Sequence, residues 1–254
     1  MNFSVFSIQV GCLVMAFPFT LDISVADGQQ SDTWASSVSL PDSETPIHLF
    51  DGQSLEGWEG LIEEYWSIDS GEIVGQNQQP NPASTYLFTK KPYRDFRLLL
   101  EVKQTVGKEF STMHSAVACL GKIIEDKGQG FGFQGPLLMF CHDWGIWDAH
   151  RRNRIYPEGH RGTYMPNAGQ KGVEKKGVER TGEWNQVEIL AVGDQIRMVA
   201  NGVQVIDMTD QAGMLQSSPI GLQLHSNRRP QKFRFRGLIL VDNPSDQLLT
   251  RKTD

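Results

Sequence analysis

The sequence predicts an all-β domain, built as a β-sandwich or a barrel, and three observations lead to this prediction. Short apolar or alternating runs of residues follow one another from residue 47 to residue 242. Turns rich in Gly, Asn and Asp separate these runs. After residue 47, no segment keeps the i, i+3, i+4, i+7 spacing of an amphipathic helix over a dozen residues. Many short strands joined by such turns are typical of sandwiches and barrels.

Residues 1–26 are expected to form a secretory signal peptide. The stretch Val5–Val25 is mostly apolar, and Ser24 and Ala26 place small residues at positions minus three and minus one of a cleavage site. Pro18 interrupts the apolar run, whereas a transmembrane anchor needs about twenty predominantly apolar residues. We therefore expect an exported protein, periplasmic or extracellular, without stable membrane insertion after signal cleavage.

Two further segments flank the predicted domain. Residues 27–46 are rich in Ser, Asp, Gln and Pro and show no sustained period, which predicts a flexible linker. The predicted β-sandwich domain spans residues 47–242, and residues 243–254 are expected to form a C-terminal tail.

The first half of the domain contains four segments with strand character. Tyr65–Gln76 holds two short runs around an Asp-Ser-Gly turn, which predicts a hairpin. Residues 95–105 alternate in polarity after an apolar centre. Residues 114–121 and 130–140 are compact apolar runs, each the length of a buried strand.

The second half ends in a series of strands that follows a long interruption. Residues 149–183 are polar and Gly-rich, and a loop of that length inside a compact domain is usually functional. Trp184–Met208 then gives three runs separated by Gly-Asp and Asn-Gly, and Asn-Gly is the strongest short-range hairpin signal. Residues 219–226 and 232–242 supply the last two strands, and the latter alternates Phe with Lys and Arg.

The charge balance limits the kind of partner. Lys and Arg number 24 against 30 Asp and Glu, a formal net charge of -6. Binding to nucleic acid needs a basic footprint, so a nucleic-acid partner is not expected. A small neutral or anionic ligand remains open, and the sequence carries no sign of an oligomeric state.

Cysteine usage leaves two alternatives. Removal of the signal peptide would remove Cys12 and leave Cys119 and Cys141 in a compartment where disulfides persist. Both lie in apolar, strand-like segments. One disulfide and two separate buried thiols therefore both remain open.

The segment Trp144–Ile155 has the composition of a sugar-binding site. Pyranose rings stack their C–H faces on aromatic side chains, and their hydroxyls bind planar polar partners. The residues of this type are Trp144, Trp147, Asp148, Arg151 and Arg152. The alternative is that the tryptophans belong to the core and the arginines pair with acids on a solvated rim.

Histidines offer further chemistry. His225 follows a short apolar run at a strand end and is a candidate general base, with a structural role as the alternative. His114, His142, His150 and His160 are weaker candidates. No His-Glu-x-x-His or paired Cys-x-x-Cys spacing occurs, so neither a metal site nor any other cofactor is expected. The alternative is a divalent ion held by Asp148 and a histidine, which would suit a reaction that forms an enolate.

Six segments, in order, resemble the 3-keto-disaccharide hydrolase domain family. They are LFDGQSLEGWEG, WSIDSGEIVGQ, YRDFRLLLEVK, GEWNQVEILAVGDQIRMVANGVQV, GLQLHS and KFRFRGLIL, between residues 49 and 240. The resemblance implies an exported bacterial protein with a concanavalin A-like jelly-roll β-sandwich of two antiparallel sheets. It also implies a carbohydrate ligand.

The resemblance carries over several residues and fails at two places. Where the family commonly has Asn-Ser-Gly, this chain has His114–Ala116. The family's acid near Phe133 and Gln134 is absent, because Gly132, Gly135 and Pro136 carry no carboxylate. The residues carried over to a saccharide site are Gln134, Trp144, Trp147, Asp148, Arg151, Arg152, Gln223 and His225.

The implied activity is hydrolysis or lysis of 3-keto glycosides. A ketone at C3 acidifies the C2 proton, so one base can remove it and the glycosidic oxygen then leaves C1. The base would be His225 or Asp148, and the partner of the enolate oxygen would be Arg151 or Arg152. This chemistry does not need the paired acid-x-acid motif of retaining glucanases, which is absent between residues 114 and 148.

Substrate binding would use aromatic and amide side chains. Trp144 or Trp147 would be the platform for the sugar ring, and Gln134 and Gln223 would bind its hydroxyls. The rival hypothesis is a non-catalytic carbohydrate-binding module, because the family acid is missing and Pro136 would interrupt hydrogen bonding in a central strand. A third hypothesis is capture of an acidic partner by the Arg-rich loop.

Overall fold

The computed structural model describes residues 32–126, 128–141, 144–149, 162–164, 178–210, 213 and 215–252. Within these residues the chain forms short helices and many strands. In chain order they are α1 (Trp34–Ser37), β1 (Ile47–His48), β2 (Trp58–Gly60), α2 (Ile62–Tyr65), β3 (Trp66–Asp69), β4 (Glu72–Asn77), β5 (Thr85–Thr89), β6 (Phe96–Gln104), β7 (Ser115–Ala118), β8 (Lys122–Asp126), β9 (Gln129–Phe140), β10 (Ile146–Ala149), β11 (Gly162–Tyr164), β12 (Asn185–Val192), β13 (Gln195–Ala200), β14 (Val203–Thr209), β15 (Gly221–Leu224) and β16 (Gln231–Asp242).

The strands form two antiparallel sheets. The first sheet has the order β14-β13-β12-β6-β16-β4-β3, and β1 pairs with β16 at its side. The second sheet has the order β11-β10-β9-β7-β15-β5-β2, and β8 pairs with β9. The predicted fold class, an all-β sandwich of two antiparallel sheets, is confirmed.

Predicted turns connect several of these strands. Asn201 and Gly202 join β13 to β14 with φ angles of 51° and 92°. Both central residues of a type I′ turn need positive φ, which Asn and Gly adopt at low cost. Ser70 and Gly71 join β3 to β4 in the same manner, with φ of 55° and 74°.

The main core lies between the sheets. Alternate residues of the first sheet, such as Leu98 and Phe233, meet alternate residues of the second, such as Val117 and Leu222. All four are fully buried. Each buried side chain of this size stabilises the fold by about 1.5–3 kcal/mol.

The segment predicted to be a flexible linker is packed over its described part. Ala35 of α1 contacts Leu99 and Ile239 on the side of the first sheet that faces away from the core. Glu44 pairs with Arg97, Nε to Oε2, at 3.1 Å. Composition suggested disorder over 27–46, but a few apolar contacts and one buried ion pair hold residues 32–46 to the sheet.

The predicted C-terminal tail, 243–254, is also packed over its described part. The backbone N–H and the hydroxyl of Ser245 donate to Glu44 Oε1 at 2.9 and 2.6 Å. The backbone N–H and the hydroxyl of Thr250 donate to Glu188 Oε2 at 2.9 and 2.7 Å. Two buried carboxylates, Glu44 of the amino-terminal segment and Glu188 of β12, therefore hold the C-terminal segment to the domain.

Pro136 lies within β9 without ending it. Its carbonyl oxygen accepts a hydrogen bond from the Cys119 backbone N–H at 3.3 Å. Cys119 follows the last residue of β7, Ala118. In a hydrogen-bonded antiparallel pair, the N–H and the C=O of one residue both face its partner residue. The missing N–H of Pro136 therefore faces Cys119, where the ladder between β7 and β9 ends. The expected interruption of the central strand does not occur.

Cys119 and Cys141 are two separate buried thiols, which decides between the two alternatives. Cys119 lies opposite Pro136, five residues before Cys141 on the neighbouring strand. Five strand residues span about 17 Å. A disulfide needs Cα atoms within about 6.8 Å.

The predicted signal peptide, residues 1–26, lies outside the described residues. In the part of the chain that the structure describes, no helix has both the length and the apolar character needed to span a membrane.

Candidate functional site

The second sheet has one face on the core and another that carries a separate group of side chains. We call the latter the outer face. Its cluster consists of Tyr86, Phe88, Ala116, Ala118, Phe133, Leu137, Met139 and Ala149, with Ile123, Phe131 and Trp147 packed against it. Because side chains alternate along each strand, these residues interleave with the core residues of β5, β7, β9 and β10.

One end of the outer face is filled with aromatic rings. Phe88 lies over Gly221, where an added β-carbon would come within 2.4 Å of the ring. The rings of Tyr86 and Phe88 stack with centroids 5.3 Å apart. Phe133 packs against both, at 6.1 and 5.9 Å. These contacts make a rigid apolar floor next to the polar end of the same face.

The polar end of the outer face holds two histidines. Gly221 of β15 pairs with Ala118 of β7, and Leu222 pairs with Val117. Continuing this antiparallel register four residues beyond the Gly221–Ala118 pair places His225 opposite His114. Their ring centroids are 4.8 Å apart with an interplanar angle of 80°, and both side chains are half-buried. We call His114, His225, Gln223 and Tyr86 the histidine site.

The backbone orients the His225 ring. Its Nδ1 lies 2.7 Å from the carbonyl oxygen of Ser226. A carbonyl only accepts, so this contact favours the tautomer with the proton on Nδ1. The lone pair is then on Nε2. The side-chain amide of Gln231 donates to the His225 carbonyl, and the Ser226 N–H donates to Ser84 Oγ at 3.1 Å, which fixes the strand end.

Gln223 joins the histidines to the aromatic floor. Its Nε2 donates to the Tyr86 hydroxyl at 3.0 Å, across the register pair of β15 and β5. Gln223 is only 1% exposed, and its Oε1 has no hydrogen-bond donor among the described residues. A buried amide oxygen without a donor costs about 1–3 kcal/mol.

The predicted site residues divide between the two faces of the second sheet. Trp147 belongs to the outer face and is half-buried. Trp144 belongs to the core between the sheets, where its ring lies 6.2 Å from Phe140 and its Nε1 donates to Glu179 at 3.3 Å. Trp144 therefore cannot serve as the predicted platform on the outer face.

Asp148 lies away from His225. It alternates with Trp147 and Ala149, which are on the outer face, and shares the side of Ile146, a core residue. Asp148 is fully buried. The structure thus does not bring the two predicted bases together, because strand alternation turns them to opposite faces of one sheet.

The remaining predicted residues lie elsewhere or outside the described part. Gln134 is half-buried in β9, opposite Lys122 of β8 and beside Phe133. Arg151 and Arg152 lie outside the described residues.

Trp147 and His225 share the outer face at some distance. Three strand spacings, about 14 Å, and four residues along the strand, about 14 Å, separate their positions in the sheet. The predicted tryptophan and histidine thus lie at two ends of one face rather than in contact.

Two residues of the histidine site stand out little in the sequence. His114 is one of the weaker histidine candidates and Tyr86 is not a candidate, because both lie far along the chain from Gln223 and His225. Alternation along the strands is the signal that could have found them. It places His114 on the same face as Ala116 and Ala118, and Tyr86 on the same face as Phe88, once the strands are aligned.

Among the described residues, no group of three or more His, Cys, Asp or Glu side chains could hold a metal ion. His142, His150 and His160 lie outside that part of the chain. The expectation of no metal site therefore stays a prediction.

The comparisons with known proteins identify the family. Residues 45–240 match the 3-keto-alpha-glucoside-1,2-lyase-like domain, which covers well over half of the 254 residues. The chain belongs to this family. The match confirms the resemblance of the six sequence segments to this family. Its family relates the protein to carbohydrates.

Several solved structures are similar to this 3-keto-alpha-glucoside-1,2-lyase-like domain, and the first of those described below shares its fold. A proposed glycosyl hydrolase from Parabacteroides distasonis is 18% identical, with a TM-score of 0.51 over 78% of this chain and 93% of its own. A second from the same organism is 21% identical, with a TM-score of 0.48 over 77% and 98%. A carbohydrate-binding module from Bacillus subtilis is 13% identical, with a TM-score of 0.49 over 73% and 96%. No curated protein matches the chain.

Proposed function

We propose that this domain cleaves 3-keto glycosides by removing the proton next to the ketone. The family supplies the substrate class, a keto-glucoside. The electrons of the C2–H bond form a C1–C2 double bond, and the C1–O bond breaks to release the second sugar. Water can add to the double bond afterwards. The reaction needs one base, ring positioning and hydrogen bonds to the hydroxyls, and it calls for no cofactor.

His225 is the proposed base, and its contact with Ser226 is the observation that carries the proposal. The 2.7 Å contact at Nδ1 leaves the lone pair on Nε2, the nitrogen that would take the C2 proton. A histidine needs little adjustment of its pKa to act near neutral pH. Asp148, the other candidate base, is buried on the core side of the same sheet.

The substrate contacts follow from the same face. For Gln223 Oε1 to accept from a sugar hydroxyl, as proposed, the substrate must displace the side chains that bury it, because Gln223 is 1% exposed. Trp147 lies about 14 Å from His225 in each direction of the sheet, so it would stack only against a sugar unit of a saccharide longer than a disaccharide. Arg151 and Arg152 remain the proposed partners of the enolate oxygen.

We also propose that the protein is exported by bacteria to the periplasm or beyond. The support is the apolar stretch Val5–Val25, with the small residues Ser24 and Ala26 at positions minus three and minus one of a cleavage site. Expression of the full chain and amino-terminal sequencing of the recovered protein test this. The expected mature protein begins at Asp27, and a protein that retains Met1 would contradict export with cleavage.

A non-catalytic carbohydrate-binding module is the second candidate. The family commonly has an acid near Phe133 and Gln134, and its absence at Gly132, Gly135 and Pro136 favours this candidate. Its other support has disappeared, because β9 continues through Pro136.

Incubation with a 3-keto disaccharide and with the same unoxidised disaccharide tests the two candidates. The enzyme hypothesis predicts release of monosaccharide from the keto sugar alone, because only its C2 proton is acidic. Binding of either sugar without any release would contradict the enzyme and support the module.

A further inference from the structure

We propose that His114 is a second catalytic residue, the general acid that protonates the departing sugar oxygen. This inference rests on the proposed function and deepens it. Elimination leaves a negative charge on the oxygen that departs from C1. A sugar alkoxide is a poor leaving group, so a second proton-transfer group beside the base would accelerate the step.

The position of His114 meets this requirement. It lies directly across from His225 on the neighbouring strand, and the edge of one ring faces the other at a centroid distance of 4.8 Å. Both side chains are half-buried on the outer face. The C2 proton and the C1 oxygen of a pyranose are on adjacent carbons, so two neighbouring imidazoles can reach both at once.

The pair is arranged for one charged and one neutral ring. Two positive charges this close disfavour each other, so a proton on one ring disfavours a second proton on the other. The Ser226 carbonyl orients His225 with its lone pair on Nε2, which makes His225 the base. His114 is then the ring that donates.

The proton balance closes over one cycle. His225 Nε2 takes the proton from C2, the C2–H electrons form the C1–C2 double bond, and the C1–O bond breaks. The departing oxygen takes a proton from His114. The site is then left with a protonated His225 and a neutral His114, and a transfer of one proton between the two rings restores the starting state.

His114→Asn tests the assignment with two substrates that differ in leaving group. Asn keeps a polar side chain of similar reach. Because the family commonly has Asn at this position, the variant is expected to fold. For a 3-keto disaccharide we expect kcat to fall by about 100-fold or more, the usual contribution of a general acid. The second substrate is the 3-keto glucoside of 4-nitrophenol, whose oxygen leaves without a proton. For this substrate we expect kcat to fall by less than about fivefold, because its departure does not need the general acid that the substitution removes.

Exchange of the C2 proton in deuterated water separates the two roles. His114→Asn should retain exchange at C2, because His225 is intact. His225→Asn, the matched control, should lose exchange and also turnover of both substrates.

Three outcomes would overturn proposals, each in a different way. An equal loss on both substrates, with His114→Gln behaving likewise, would assign His114 a structural role. Unchanged turnover of the disaccharide by His114→Asn would remove it from catalysis. Absence of both exchange and release in the wild type would instead reject the proposed function itself.

Discussion

Trp144 and Trp147 lie three residues apart in the chain and on opposite sides of the second sheet. Trp144 packs into the core between the sheets and is 6% exposed, whereas Trp147 lies half-buried on the outer face. A pattern that looked like one aromatic platform is therefore one core residue and one surface residue.

Substitution of each tryptophan by alanine should separate stability from binding. Trp147→Ala should weaken binding of a saccharide long enough to reach it by about 0.5–1.5 kcal/mol, or about 2- to 12-fold, because stacking is lost. Trp144→Ala should lower the free energy of unfolding by about 3–5 kcal/mol, because it opens a cavity in the core. Calorimetric titration and denaturant unfolding measure the two effects. Equal destabilisation by both changes would contradict the assignment of faces.

Arg97 should be one of the most sensitive positions of the domain. It is fully buried and pairs with two carboxylates, Glu44 and Glu188. Arg97→Met would leave these charges buried without their partner, so the free energy of unfolding should fall by about 3–5 kcal/mol. Denaturant unfolding checks this.

Lys91→Met is the matched control for Arg97→Met. The Lys91 ammonium lies 3.3 Å from Asp242, and the two side chains are 60% and 36% exposed. A solvated ion pair of this kind contributes about 0–1 kcal/mol. An effect of Lys91→Met as large as that of Arg97→Met would contradict the role of burial.

Glu44 should make the domain sensitive to acid. Burial raises the pKa of its carboxyl, but hydrogen bonds from Arg97 and Ser245 together lower the pKa by more. The net pKa therefore lies below the ordinary value. A carboxyl with a lowered pKa in the folded state contributes stability above about pH 4.3, the pKa of an ordinary glutamate. That contribution is lost as the pH falls through the folded pKa.

Glu44→Gln should therefore flatten the acid limb of the stability profile. Urea unfolding at a series of pH values from 7 down to 3 measures the free energy of unfolding for both proteins. The variant should be less stable at neutral pH and should lose less stability below about pH 4.3. Parallel profiles for the two proteins would show that the Glu44 carboxyl does not titrate with folding.

The two core thiols should be inert until the protein unfolds. Cys119 and Cys141 are buried, and burial raises the pKa of the Cys141 thiol, so little reactive thiolate forms. A thiol reagent should label neither residue in the native protein without Cys12 and both after denaturation. Reducing agent should leave the melting temperature unchanged. A loss of stability on reduction would indicate a disulfide.

The fold could be predicted from the sequence because its signals are local. Alternation and the Asn201-Gly202 turn each depend on a few neighbouring residues, and both reappear in the strands of the first sheet. Register is a different matter. His114 and His225 are far apart in the chain, and only the pairing of β7 with β15 brings them together.

The same limit explains the other differences. The face on which Asp148 and Trp144 lie depends on where β10 begins, and a shift of one residue would reverse it. Residues 32–46 have the composition of a linker, but the buried contact of Glu44 with Arg97 depends on a strand distant in sequence. Composition cannot show such a contact.

Turnover of a 3-keto disaccharide by His225→Gln and by Asp148→Asn, each corrected for the folded fraction, tests the central claim most directly. The claim is that the base lies on the outer face at His225. It predicts a fall in kcat of about 100-fold or more for His225→Gln and little change for the folded fraction of Asp148→Asn. Unchanged turnover in His225→Gln, or a large loss in Asp148→Asn alone, would contradict it.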